Sequence, residues 1–174
     1  MHKFYDLPGG AAAGISDSKL PDMQAGWEQG ITNVLAGLSG LNMVYESVGM
    51  HASLLGFCLE SLVLGDDILG QVLRCVRGID VTEDNTSIEA MKAVCVGGPG
   101  HYLGSEQTLE LMQTEYIYPA LGNRMSPKEW NEANRPILID QAIKRKNAIL
   151  EQARIQIDPA IDAAIRKDYK IYFN

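Results

Sequence analysis

Pro8-Gly9-Gly10-Ala11-Ala12-Ala13-Gly14-Ile15, running into Ser16-Asp17-Ser18-Lys19-Leu20-Pro21-Asp22, sets the architecture of this chain. A row of small apolar residues suits a strand that something covers closely. The polar run after it forms a loop, with Asp22 placed to cap a helix. From Met23 to Leu38, Trp27, Ile31, Val34, Leu35 and Leu38 recur at intervals of three and four, which predicts a helix. Gly26, Gly30 and Gly37 in that helix imply close packing on a neighbour, and Gly40 closes it. Leu41 to Ser47 then reads as a short buried strand whose carboxyl end delivers Glu46, Ser47, Gly49, Met50 and His51 into a loop. Strand, helix and strand in that order favour a parallel sheet.

Further along, Leu54 to Leu64 is strongly apolar and is expected to be helical. Asp66-Asp67 opens a second helix that ends at Arg77 and Gly78, its core stripe being Ile68, Leu69, Val72, Leu73 and Val76. Thr86 to Val94 predicts a short helix capped by Thr86 or Ser87. It leads to Val96-Gly97-Gly98-Pro99-Gly100-His101-Tyr102-Leu103-Gly104, a stretch too rich in glycine for a helix or a comfortable strand. A glycine-rich loop that feeds a helix N-terminus, here at Ser105, is a ready place for an anionic ligand. Gly98 and Gly100 are the positions where a cofactor would approach the backbone. The spacing matches neither a P-loop nor a full dinucleotide fingerprint. Ser126-Pro127-Lys128-Glu129 is a clean helix start, followed by a long amphipathic helix from Pro136 to Ile157 and a last one from Pro159 to about Lys167. Lys170 to Phe173 carries no assignment. The expected division is 1–125 and a helical extension, 126–174.

The formal charge of -7 and a pI near 4.9 leave no basic surface to neutralise phosphates, which argues against a nucleic-acid partner. No run of apolar residues is long enough to span a bilayer, and no signal-like segment opens the chain, so a soluble, cytoplasmic protein is expected. Cys58, Cys75 and Cys95 lack any CxxC spacing. Buried free thiols are the expectation, and no metal site. Trp27 and Trp130, set among aliphatic neighbours, are expected in the core or in helix packing.

Ser16-Asp17-Ser18-Lys19 with Pro21-Asp22-Met23-Gln24-Ala25-Gly26, the Arg77-Gly78 stop, and Gly98-Pro99-Gly100-His101-Tyr102-Leu103-Gly104 with Gln107-Thr108-Leu109 resemble the trimethylamine methyltransferase family. That family includes the glycine betaine:corrinoid methyltransferases, which lack pyrrolysine. The likeness runs from Phe4 to about Trp130. It implies an α/β, helix-rich chain corresponding to the C-terminal part of a TIM (β/α)8 barrel, with extra C-terminal helices. A whole barrel needs roughly 250 residues, so the resemblance implies a truncated frame with open strand edges, for which homo-oligomerisation is expected.

The activity implied is transfer of a methyl group from a methylated amine to the Co(I) of a corrinoid (cobalamin) carried by a partner protein, with no cofactor held tightly by this chain. The absence of a non-standard residue favours a quaternary amine such as glycine betaine. The alternative is a non-catalytic oligomerisation or corrinoid-protein-binding module. Loops after strand C-termini supply the site in such folds. They nominate Glu46 and His101 as catalytic, and Asp17, Lys19, His51 and Tyr102 as substrate-binding. A quaternary ammonium offers no N–H, so it calls for aromatic faces and a carboxylate. A betaine carboxylate would take His101, Lys19 or loop amides. The bland roles are a turn cap for Asp17, an ion pair for Glu46, a helix start for His51 and core packing for Tyr102.

Overall fold

Glycine and alanine at positions 10–12 let two short strands pair beside a helix. In the computed structural model, which describes residues 1–152 and 157–170, this unit follows a four-residue helix α1 (His2–Tyr5). Strand β1 (Gly10–Ala12), helix α2 (Met23–Leu38) and strand β2 (Met43–Tyr45) come next, and β1 pairs β2 in parallel with Ala11 opposite Val44. The expected strand–helix–strand unit is therefore present. Asp22 caps α2 by accepting from the Ala25 N–H at 3.0 Å, which holds its carboxyl below the ordinary value of 3.8.

The face that α2 buries differs from expectation. Trp27, Ile31, Leu35 and Leu38 are exposed, whereas Ala25, Gln29, Asn33 and Ala36 are buried. Small and amide side chains bring the helix close to the strands and let it satisfy their loops. The Asn33 Nδ2 donates to the Ser47 carbonyl at 2.8 Å, and the Gln29 Nε2 to the Met50 carbonyl at 3.4 Å. Of the three helix glycines, Gly37 meets its neighbour, because a Cβ there would strike Val76. Gly26 and Gly30 face open space.

The apolar run expected as a helix from Leu54 begins instead with a hairpin. Strands β3 (Met50–His51) and β4 (Gly56–Phe57) pair antiparallel around Ala52, Ser53 and Leu54, all with positive φ. One continuous helix α3 (Leu59–Arg77) then replaces the two that were predicted. Asp66-Asp67 does not start a helix. The Asp67 carboxylate accepts the N–H groups of Ala120, Leu121 and Gly122 at 2.7–3.0 Å and so ties a distant loop to mid-helix. Gly78 ends α3 at φ 71 as expected.

Helices α4 (Ile88–Cys95) and α5 (Glu106–Thr114) flank the glycine-rich loop, and α6 (Pro127–Glu132) opens with the expected capping box at Ser126 and Glu129. Ser87 and Ser105 sit at the N-caps of α4 and α5 without a side-chain capping bond. Helix α7 (Leu138–Gln152) packs on α3, which in turn packs on α2, and α8 (Pro159–Asp168) follows. The Lys146 ammonium meets the Glu60 carboxylate at 2.6 Å and, with the Cys58 thiol donating at 3.1 Å, draws Glu60 down to about 2. The predicted extension of α7 through 153–156 and the 171–173 tail lie outside the described residues. The thiols are not buried as expected: Cys58 is half-buried, and Cys75 and Cys95 are exposed, because α3 and α4 turn those positions away from the core. Trp27 lies on the outer surface, while Trp130 is half-buried and donates from Nε1 to the Pro136 carbonyl at 2.9 Å.

Candidate functional site

Parallel strands send their connecting loops to one end, and ligands gather outside the carboxyl ends of such strands. Two loops leave that end here. The first, 13–22, begins where the Ala13 N–H donates to the Tyr45 carbonyl at 3.2 Å, and passes Gly14 at φ 74. No side chain fits at Gly14, since a Cβ would run into the Ser47 carbonyl. The second loop starts at Glu46, an exposed residue held at φ 62. A non-glycine residue in that region carries backbone strain, as do Ala52, Ser53 and Leu54 in the hairpin that follows.

The segment 16–18 is then zipped to the β3–β4 hairpin. The Ser16 N–H donates to the Met50 carbonyl, the Ala52 N–H to the Ser18 carbonyl and the Ser53 N–H to the Ser16 carbonyl, at 2.9–3.2 Å. Ser16 and Ser18 are 1% and 5% exposed, so this loop is held like core. Glu28, one turn inside α2, organises its tip. Its carboxylate accepts the Ser16 hydroxyl at 2.7 Å, the Gln24 amide at 3.0 Å and the Asp17 N–H at 2.9 Å, and these bonds hold it below the ordinary 4.5. Asp17 and Lys19 project from this frame and are exposed. The Asp17 carboxylate takes the Ser53 hydroxyl, and the Lys19 ammonium donates to the Asp17 carbonyl at 2.8 Å.

His51 occupies the centre, 3% exposed. Its Nε2 lies 2.6 Å from the Ser61 hydroxyl on α3, and its Nδ1 lies 3.3 Å from the Ser18 carbonyl. The ring bridges loop, hairpin and helix, with both nitrogens occupied.

The structure thus brings Asp17, Lys19, Glu46 and His51 to one end of the sheet. His101 and Tyr102 sit in a separate loop. There the Gly100 N–H returns to the Val94 carbonyl at 3.1 Å, and a Cβ on Gly98 would strike the carbonyls of Ala93 and Val94. Gly98 and Gly100 therefore close the end of α4. His101 is exposed, and the Tyr102 hydroxyl lies 3.6 Å from the Cys95 sulfur, a contact that pushes the phenol up from its ordinary value. Among the described residues, no hydrogen bond or ion pair joins this loop to residues 14–19 or 46–61. The residues that sequence reasoning missed are Ser16, Ser18, Glu28, Ser53 and Ser61. A usable signal was present in Gln29 and Asn33, polar residues four apart that mark the inward face of α2.

Comparison with known proteins places this arrangement in a family. The family described as Trimethylamine methyltransferase (MTTB) matches residues 1–171. Trimethylamine methyltransferase MttB of Methanosarcina thermophila is 33% identical over 97% of this chain and 33% of its own length. Glycine betaine methyltransferase of Desulfitobacterium hafniense (strain Y51) is 26% identical over 95% of this chain and 34% of its own. The chain thus spans about a third of the length of these relatives. Across that span, the chain belongs to the trimethylamine methyltransferase family.

Proposed function

We propose that this chain forms part of a methyltransferase that moves a methyl group from a methylated amine, a quaternary amine such as glycine betaine, to the Co(I) of a corrinoid carried by a partner protein. In this reading the chain is the C-terminal part of a (β/α)8 barrel. The observation that carries it is the convergence of Asp17, Lys19 and the strained Glu46 at the carboxyl end of a parallel pair, in a chain whose family transfers methyl groups from amines. The acceptor supplies the nucleophile; the protein has to hold and orient the donor. As the C–N bond of a quaternary ammonium breaks, its electron pair stays on nitrogen as a neutral amine, so no acid has to protonate the leaving group. Glu46 and Asp17 face the cationic end, and the Lys19 ammonium faces a betaine carboxylate. His51, with both nitrogens engaged, positions the loop. His101 and Tyr102 serve the donor from the second loop, where the glycine backbone at 98 and 100 presents a surface to the corrinoid partner.

The test uses a chimaera in which this chain replaces the matching third of the Desulfitobacterium glycine betaine methyltransferase. Anaerobic methylation of Co(I) cobalamin is followed spectroscopically, with glycine betaine and trimethylamine each offered. Turnover with betaine that falls at least about tenfold in Glu46→Gln and Asp17→Asn supports the reading. A chimaera that transfers no methyl group from either amine, or whose turnover ignores both substitutions, overturns it.

A further inference from the structure

Helix α2 carries its large apolar residues on the side away from the sheet. Leu20 just before it, then Met23, Trp27, Ile31, Leu35 and Leu38, are 55–82% exposed. At about 100° per residue, Trp27 and Leu38 point roughly opposite to Ala25 and Ala36, which are buried. Beside the ridge lies a wedge. Helices α2 and α3 touch where Gly37 meets Val76, and near the N-terminus of α2 Gly26 faces open space in the wedge. The wedge has a volume of about 570 Å³ and is lined by Met23, Gly26, Trp27, Leu64, Ile68 and Leu138.

We infer that the outer face of α2 is a self-association surface, on which a second copy of this chain docks about a two-fold axis. The Trp27–Ile31–Leu35 ridge of each copy lies in the partner's wedge beside Gly26. A ridge next to a groove is what an isologous interface requires, because each contact then occurs twice. The area suffices. With a large aromatic side chain contributing roughly 150–250 Å² and aliphatic ones somewhat less, the exposures leave about 700 Å² per copy, close to the about 800 Å² per partner of a stable interface. Charge permits it too. Although the chain is at -7, Glu28 is the sole ionisable residue of α2, and it is drawn toward Ser16 and Asp17.

The chain has two tryptophans, Trp27 and Trp130, so a Trp130→Phe background makes Trp27 a single reporter. Sedimentation equilibrium and Trp27 emission are recorded on the full chain between roughly 1 and 100 µM, a range in which interfaces of this size can dissociate. The expected result is a monomer–dimer equilibrium, with emission moving to the blue as dimer forms. Ile31→Lys with Leu35→Lys should give a monomer of unchanged circular dichroism, and so should Gly26→Leu, which fills the wedge at a position with open space beside it. A chain that stays monomeric throughout overturns the inference. So does a dimer that persists in both variants, or an open-ended assembly without a dimer endpoint.

Discussion

Two loops in this chain are each associated with a histidine, one buried behind the loop and one exposed on it, and they are built in opposite ways. The 13–22 loop is short of glycine after Gly14, yet it is zipped to a hairpin, pinned by Glu28 and bridged by buried His51 to Ser61. The 96–104 loop has four glycines, and its bonds turn back on α4 and α5. Glycine content advertised the second loop, but anchoring belongs to the first. A site that must hold a small cation within a fraction of an ångström needs side chains whose rotamers are locked by their neighbours. Under the proposed function, the 13–22 loop is on that ground the positioning element, and the 96–104 loop is the surface offered to the corrinoid partner.

The strongest way to break this contrast is His51→Ala. It removes a buried ring and strands the Ser61 hydroxyl, itself 2% exposed. An unmet buried hydroxyl and a cavity together cost about 2–4 kcal/mol, read as a fall in the urea midpoint. A loss below about 0.5 kcal/mol, the scale of an ordinary surface change, would place His51 among surface residues and dissolve the distinction. Next in size is Gly98→Ala, where the new methyl meets the Ala93 carbonyl. We expect about 1–3 kcal/mol, with fraying confined to α4 and the loop by hydrogen exchange. If exchange accelerates at residues 16–19 instead, the two loops are coupled and the separation fails.

Much of the first loop's frame was legible, and the reason is local. Asp22 caps α2, Ser126 and Glu129 close a capping box, and the small residues at 10–12 form a strand, because each signal acts within four residues. What was hidden acts at a distance. Asp67 resembles a helix-start acid until its carboxylate is found on the N–H groups of 120–122. The apolar run after Leu54 resembles a helix because nothing in Ala52-Ser53-Leu54 announces left-handed backbone. The hairpin exists because the 16–18 backbone pairs with it. The outer ridge of α2 followed helical periodicity, and periodicity alone cannot say whether an apolar face meets its own core or another molecule. Asp17, Lys19, Glu46 and His51 were all visible as types after strands. That His51 would be the buried member was not visible, since burial depends on Ser61, which lies on α3.

Acid provides a finer test. Glu28 has a folded value below its ordinary 4.5, so its contribution is present above that value and is lost as the pH falls through the lowered one. The Asp17 amide, which donates to Glu28, should lose protection relative to its intrinsic exchange rate by roughly tenfold as the pH falls through that lowered value. In Glu28→Gln the same amide should exchange fast at neutral pH and show no such step. Among the described residues no carboxylate accepts from the amides of 97–104, which should be indifferent to both changes. A step of equal size in both loops would trace the effect to global acid unfolding and remove Glu28 from its organising role.

The smallest effect is expected at His101, and it sharpens the contrast most. The ring is exposed, and its loop is closed by backbone bonds at Gly100 and Ser105 that do not need it. His101→Ala should therefore shift stability by no more than about 0.5 kcal/mol, against the far larger cost at His51. If the substitution is silent for folding yet lowers methyl transfer by the chimaera, His101 acts on a donor or partner that comes to the loop. If it is silent in both, the glycine-rich loop is a cap for α4, and the functional end of this chain is the pinned one. A large loss of stability would mean that the ring packs against something, contrary to its exposure. The two histidines would then no longer mark opposite designs.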